Sequence, residues 1–362
     1  MELSCLDKLS FENTKEQTIQ HPAFADIEGR NCLFFGDNFS ILSSLLKTHK
    51  GKIDLIYIDP PFNTKQIFKV SKNRKNSVSQ AKDSDVAYSD TMNRAEFLEF
   101  LRLRLFLMKE LLSDEGSIYL HIDTKVGHYV KIIMDEVFGE ENFKNDITRI
   151  KSNPKNFSRS AYGNEKDMIL FYAKNARKNI WNEIRKPMSP TELAKRFPKT
   201  DPSGRRYTTI PLHAPGETNG ITGQPWRGMN PPEGRHWRTD PAEFDKLDSM
   251  GLIEWSSTGN PRIIRYADEH QGKKIQDIWE FKDPQHPVYP TEKNRAMLEL
   301  IIRQSSNPDS VVLDCFCGSG STLSVAQALG RHWIGIDISS IAISTTRERS
   351  ELQDYLFFDC SE

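Results

Sequence analysis

The sequence predicts an α/β protein built on a doubly wound, mostly parallel, Rossmann-like sheet that is interrupted by an inserted module. Three observations predict it. Short apolar runs alternate with helical patterns over residues 31–175. That rhythm is lost over 176–280, where Pro, Gly, Trp and Arg are frequent, and it returns from about residue 290. The expected division is therefore 1–175 and 281–362 for the two parts of the sheet domain, and 176–280 for the insertion.

The elements follow in order. The run Ile53-Asp54-Leu55-Ile56-Tyr57-Ile58 reads as a buried strand. A helix is expected over about 94–112, where Phe97, Leu98, Leu101, Leu105 and Met108 recur at helical spacing. Residues 117–122 and 168–172 read as further strands. Within the module, 225–228 and 231–238 carry Pro-Trp-Arg-Gly and Pro-Pro-Glu-Gly-Arg-His-Trp-Arg, which favour loops or short strands over helices. A helix at 292–304 and strands at 311–314 and 333–337 complete the pattern. No internal repeat is visible.

Composition narrows the function classes. The chain has 362 residues, 37% hydrophobic and 27% charged, as in folded globular proteins. No apolar run approaches the roughly 18 residues of a membrane span. The start, Met1-Glu2-Leu3-Ser4-Cys5, has no apolar signal core, so a cytoplasmic protein without membrane attachment is expected. Five cysteines are too scattered for a disulfide framework. Cys315 and Cys317 form C-x-C, but no second close pair completes a zinc site, so no metal is expected. The net charge is −1, yet its distribution is uneven. Between Lys144 and Arg206 there are sixteen Lys/Arg against six Asp/Glu, and Lys65–Lys82 holds six basic residues and no acidic ones. Such clusters can neutralise a phosphate backbone, or simply form a solvated surface.

The segment Ser310-Val311-Val312-Leu313-Asp314-Cys315-Phe316-Cys317-Gly318-Ser319-Gly320-Ser321-Thr322 reads as strand, glycine turn, then helix. Ligands of open α/β sheets bind beyond the carboxyl ends of the strands, which is where this turn lies. The next strand ends in Trp333-Ile334-Gly335-Ile336-Asp337, an acid placed to grip ribose hydroxyls. A dinucleotide fingerprint starting at Gly318 would need glycine at 323, and Leu323 stands there. Asp314 would also repel a pyrophosphate. It suits a cofactor with a cationic sulfur and an ammonium, as in S-adenosylmethionine.

The strand 53–58 delivers Asp59-Pro60-Pro61-Phe62-Asn63. Two prolines remove backbone donors and leave carbonyl acceptors. The Asp59 carboxylate and the Pro60 carbonyl can each accept one N–H of an exocyclic amine, which frees the nitrogen lone pair for attack on a methyl group. Phe62 can stack on the base, worth roughly 1–3 kcal/mol, against the few kcal/mol spent extruding it from a duplex. No Pro-Cys occurs, so the covalent cysteine route to a ring carbon is not available.

In this order, Asp59-Pro60-Pro61-Phe62 before Phe316-x-Gly318-x-Gly320, the sequence resembles the β class of DNA amino-methyltransferases. It is most similar to the modification subunits of type III restriction–modification systems, over roughly 31–175 and 272–350. Gly36-Asp37-Asn38 resembles the motif whose acid lies near the cofactor adenine. Residues 111–118 with Ile122-Asp123 resemble the core strand that follows. Tyr289-Pro290-Thr291-Glu292-Lys293 resembles the motif that closes over the methionine end. The cofactor set implied by the resemblance is Asp37, Asn38, Thr291, Glu292, Lys293, Asp314, Phe316, Gly318, Gly320, Ser321, Thr322, Asp337 and Ile338. Members with Asp in the catalytic motif usually methylate adenine N6, and those with Ser usually methylate cytosine N4; Asp59 thus implies adenine. The fourth position is more often Tyr than Phe62, which keeps the stacking but removes a hydroxyl.

The implied partner is double-stranded DNA, with a homodimer and a restriction subunit as further candidates. The polar composition of Lys65–Lys82 predicts a loop that meets phosphates through Lys65, Lys72, Arg74 and Lys75. Arg227, Arg235 and Arg238, set among prolines and tryptophans, suit base reading in the inserted target-recognition module. The competing readings are a cytosine-N4 enzyme of the same fold, an enzyme that methylates an amide or an RNA base, whose relatives usually carry Asn where Asp59 stands, and a catalytically silent DNA-binding specificity subunit.

Overall fold

A computed structural model describes residues 24, 26–61, 92–153, 160–283 and 292–361, together with the backbone of 67–70 and 85–89. The chain forms two compact units, one of residues 1–184 with 276–362, the other of residues 185–275.

The larger unit is organised by one nine-stranded sheet. Its strands are β1 (Asn31–Gly36), β2 (Ile53–Ile58), β3 (Leu112–Ile122), β4 (Phe143–Ile150), β5 (Lys166–Ala173), β6 (Ile278–Glu280), β7 (Val311–Asp314), β8 (His332–Asp337) and β9 (Tyr355–Cys360). They lie in the order β6-β4-β5-β3-β2-β7-β8-β1-β9. All neighbours are parallel except β5, which runs antiparallel to both β3 and β4. The mostly parallel doubly wound sheet expected from the sequence is present.

Alternating side chains of these strands feed two layers. Phe34, Ile56, Ile118, Leu120 and Leu313 join a core with α1 (Asn38–His49), α2 (Arg94–Leu111) and α3 (Thr124–Phe138). Residues one step out of phase face the other way. Tyr119 Oη meets Ser305 Oγ of α4 (Arg295–Ser305) at 2.8 Å, and Gly335 lies against Leu323 of α5 (Ser321–Ala328). A last helix, α6 (Ser340–Arg347), follows β8. Helix starts are set by caps: Asp37, Asn93, Asp123, Asn294 and Ser339 each accept a backbone N–H of the first turn.

The two boundaries of the insertion differ from the sequence expectation for identifiable reasons. Residues 176–184 stay with the sheet unit because Asn182 is tied to α4 and its exit: its side chain donates to the carbonyls of Arg303 and Ser306 at 3.0 Å each. Residues 278–280 form β6, added parallel to β4.

The smaller unit has a four-stranded antiparallel sheet of 253–255, 261–266, 206–211 and 199–200. Leu212, Trp226, Trp237, Phe244, Ile253 and Ile263 form its core. It also contains helices Pro190–Arg196 and Pro241–Ser249, where the sequence reading, which assigned loops or short strands to 225–228 and 231–238, named no element. Both begin with proline at the first turn, after the caps Ser189 and Asp240.

Candidate active site

β3, β2, β7, β8 and β1 are consecutive in the sheet and parallel, so their carboxyl ends open on one edge. Segments far apart in sequence meet there: Asp123 after β3, Asp59-Pro60-Pro61 after β2, Asp314 through Gly320 from the last residue of β7, Asp337-Ile338 from the last residue of β8, and Asp37-Asn38 after β1. Phe62 and Thr291 lie outside the described residues.

Asp59 is largely buried, its side chain 16% exposed. Its Oδ2 pairs with Lys293 Nζ at 2.7 Å, a partnership that the sequence reading, which put Lys293 beside the cofactor, did not include. Its Oδ1 is buried and accepts no hydrogen bond among the described residues. An unpaired buried carboxylate oxygen costs free energy, so the fold keeps it for a purpose.

Behind Asp59 lies a buried polar chain. His121 on β3 places Nδ1 3.9 Å from Asp59 Oδ1 and 3.0 Å from the Tyr57 hydroxyl. Its Nε2 lies 3.2 Å from Asp167 Oδ2 on β5. Lys151 Nζ stands 2.6 Å from Asp167 Oδ1. Arg149 approaches Asp167 Oδ2 at 3.5 Å and donates to the Phe281 carbonyl at 2.8 Å and to Asp283 at 2.5 Å. Burial favours the neutral imidazole and lowers the His121 pKa, as does the charge of Lys293, while Asp167 and Asp59 oppose it. Burial alone would raise the Asp167 carboxyl, but hydrogen bonds from His121 and Lys151 and the charge of Lys151 hold it well below the usual carboxylate range. Arg149 and Lys151 belong to the basic stretch 144–206; the fold turns them inward onto Asp167, so they do not form a phosphate-binding surface.

The glycine turn after β7 is held from several sides. Gly320 has φ +74°, and a Cβ there would come within 2.7 Å of Thr346, so only glycine fits. Gly318 N donates to Asp337 Oδ2 and Ser339 N to Asp337 Oδ1, each at 2.8 Å. Arg349, which the sequence reading missed, donates through Nη2 to Glu292 at 2.6 Å and Ser321 at 3.1 Å, and through Nε to the Ser319 carbonyl. Glu292 also accepts from the Ser321 hydroxyl at 3.2 Å, so the segment before α4 is tied to the turn. On the β1 side, Asn38 donates to the Cys315 carbonyl at 2.8 Å. Arg104, from α2, pairs with Asp37 at 2.8 Å and stacks over Phe100, its guanidinium carbon 3.5 Å from the ring centre.

Asp314 is the most perturbed acid of the edge. Burial pushes its carboxyl up to about 7 against hydrogen bonds from Thr322 and the Phe316 N–H, and the nearby charges of Asp59 and Asp337 push the same way. Burial also raises Asp337. Three carboxylates around one turn make a site that a cationic ligand would relieve, and Ile338, 69% exposed beside them, offers an apolar surface to a flat ring. These features fit S-adenosylmethionine, with its sulfonium, ammonium and adenine.

In the smaller unit, Arg227 is engaged by Asp245 at 2.8 Å and Asp248 at 2.6 Å. Arg238 donates to the Pro211 carbonyl at 2.9 Å. Arg235 sits exposed on the ribbon of 213–215 and 235–237, 3.4 Å from His213 Nδ1. Lys65, Lys72, Arg74 and Lys75 lie outside the residues with described side chains. The backbone of Ile67–Val70 pairs antiparallel with Asp85–Ser89, so part of the segment expected as a loop is a ribbon.

Sheet order, a carboxylate-lined glycine turn and an Asp-Pro-Pro strand end fit a group-transfer enzyme that works on an amine. The family model described as DNA methylase matches residues 53–348. The type II methyltransferase M.EcaI of Enterobacter cloacae is 43% identical over 325 residues, covering 88% of this chain and 69% of that protein. The type III restriction-modification enzyme StyLTI Mod subunit of Salmonella typhimurium (strain LT2) is 27% identical over 351 residues, covering 87% of this chain and 52% of the subunit. The crystal structure of the M1.HpyAVI–SAM complex superposes with a TM-score of 0.48 at 16% identity, covering 89% of this chain and all of that one. The chain belongs to the DNA methylase family: it is an S-adenosylmethionine-dependent DNA methyltransferase of the N6-adenine or N4-cytosine kind.

Proposed function

We propose that this protein methylates the N6 amino group of an adenine extruded from a specific double-stranded DNA site. The observation that carries the reading is Asp59 Oδ1, a buried acceptor at the end of a parallel strand with no hydrogen bond among the described residues. When bound, S-adenosylmethionine supplies an electrophilic methyl group on sulfur. Asp59 Oδ1 and the Pro60 carbonyl then accept the two amine hydrogens and turn the nitrogen lone pair toward that methyl. An amine that takes up the methyl group would become cationic, and Asp59 would be placed to take its proton. Phe62 stacks on the base, and Asp in the first catalytic position favours adenine over cytosine.

In this reading Asp314, Asp337, Ile338, Phe316 and the Gly318–Thr322 turn hold the cofactor, aided by Asp37, Asn38, Glu292 and Lys293. The 185–275 unit reads the sequence and the basic segment after Asp59 binds phosphates. A restriction subunit is a fitting partner given its relatives, one of which is named a subunit of a type III restriction-modification enzyme. The test is mass spectrometry of nucleosides from DNA treated with the protein and labelled cofactor. Labelled N6-methyladenine is expected; N4-methylcytosine would reassign the base, and absence of label would remove the activity.

A further inference from the structure

We propose that Asp167, which is not in contact with Asp59, controls catalysis by fixing the tautomer of His121. The carboxylate of Asp167 has no proton to give, so at 3.2 Å from Nε2 it requires the imidazole hydrogen on that nitrogen. The ring is neutral in this buried setting, and Nδ1 therefore carries a lone pair. The Tyr57 hydroxyl, 3.0 Å away, donates to it. A group that could cap Asp59 is thus withheld. The Tyr57 proton is committed to His121, and the ring nitrogen 3.9 Å from Asp59 Oδ1 has no hydrogen to offer.

The consequence is the unpaired state of Oδ1 itself. The opposite tautomer would put an N–H on the nitrogen nearest Asp59 and release the tyrosine hydroxyl. A small side-chain shift would then close a hydrogen bond onto the oxygen that must receive the target amine. Lys151 and Arg149 keep Asp167 ionised and fixed, so the chain runs from the buried Arg149 and the half-buried Lys151 through Asp167 and His121 to Asp59. His121 and Asp167 are positioning residues here: neither touches the base. The role rests on amine methylation by Asp59 and is the same whether the amine belongs to adenine or cytosine.

The variant Asp167→Asn can present its amide N–H₂ to Nε2 and drive the hydrogen to Nδ1. We expect kcat to fall about 100-fold or more, as wrong-tautomer variants of other buried Asp–His pairs do, with KM for the cofactor and Kd for DNA within about threefold. Because the change also leaves Lys151 without its carboxylate, while Arg149 keeps Asp283, the double variant Asp167→Asn/Lys151→Met restores the charge balance without restoring the tautomer. It should stay as slow as the single variant. Recovery of wild-type turnover in the double variant would show that Asp167 merely neutralises charge, and would overturn the proposal.

An independent readout uses ¹⁵N-histidine NMR of the full-length protein, with the signal assigned by its absence in His121→Gln. Nε2–H is expected in the wild type and Nδ1–H in Asp167→Asn. A wild-type ring protonated at Nδ1 would overturn the proposal whatever the kinetics of Asp167→Asn. A wild-type protein that transfers no methyl group would instead defeat the functional assignment, and the NMR result would still report on the tautomer.

Discussion

The charged groups around Asp167 in the sheet unit and the ion pairs of the 185–275 unit handle charge in opposite ways. In the sheet unit, Arg149, Asp167 and His121 are almost wholly buried and tied to one another. In the 185–275 unit, the ion pairs Arg205–Asp268 and Arg227–Asp245 are exposed at both partners. Removing one partner of a buried pair strands a charge in a poor solvent, whereas exposed pairs contribute little and exchange readily with other anions. The sheet unit thus has a fixed electrostatic site suited to one reaction. The smaller unit has exposed, exchangeable ion pairs on a compact aromatic core.

The largest effect should come from Asp59→Ala, which is expected to lower methyl transfer at least 1,000-fold while cofactor affinity by calorimetry stays within a few-fold. An equal loss of cofactor binding would put Asp59 on the wrong side of the site. Next is Trp237→Ala. Trp237 packs edge-on against Phe244 and donates to the Gln224 carbonyl at 2.8 Å, and truncating a buried tryptophan typically costs about 3–5 kcal/mol. In a core this small the 185–275 unit should become sensitive to trypsin and specific DNA binding should fail, with cofactor affinity kept. Parallel loss of cofactor affinity would mean that the two units do not behave separately.

Asp314 supplies a pH test. Its folded pKa is about 7 and its ordinary value 3.8, so burial favours the protonated form. The stability this gives is complete below about pH 4 and is lost as pH rises through 7. Above pH 7 the apo protein holds an ionised carboxylate at a cost, and Asp314→Asn should raise its melting temperature by a few degrees at pH 8. A cationic ligand prefers the ionised form, so wild-type affinity for S-adenosylmethionine should strengthen from pH 6 to pH 8, and the variant should bind weakly at both. A flat wild-type profile would remove Asp314 from the cofactor site.

The smallest effect tests the exposed arginines of the 185–275 unit. Arg235→Ala should relax the methylated site, with discrimination falling about tenfold or more if the arginine reads a base. Arg227→Ala should change it less, because Arg227 would first have to leave Asp245 and Asp248. Methylome sequencing of cells expressing each variant gives the ranking, and the reverse order would mean that those ion pairs open on DNA.

Much of the site was legible in one dimension because its parts are short and chemically unusual. Asp-Pro-Pro after an apolar strand, and an acid-flanked glycine pair before a helix, are local signals of strand ends. The alternation of apolar runs likewise gave the parallel sheet, since strands buried on both faces read as continuous apolar segments. The two helices of the insertion were also signalled, by Ser189-Pro190-x-Glu192 and Asp240-Pro241, but a proline-rich background hid the caps. His121 left a trace too, as a lone imidazole in the apolar run 117–122.

What tertiary structure decided was pairing. Nothing in the sequence ties Asp167 to His121, Arg104 to Asp37, Arg349 to Glu292, or Lys293 to Asp59, because the partners lie on different elements and any polar residue in a strand can find several neighbours. Sheet order chose among them by placing β5 beside β3 and β7 beside β2. The sequence by itself determined which groups could accept an amine or a cation. The packed sheet determined which of those groups would be left with an acceptor to spare, because in a buried site the hydrogen bonds already made fix the ones still open.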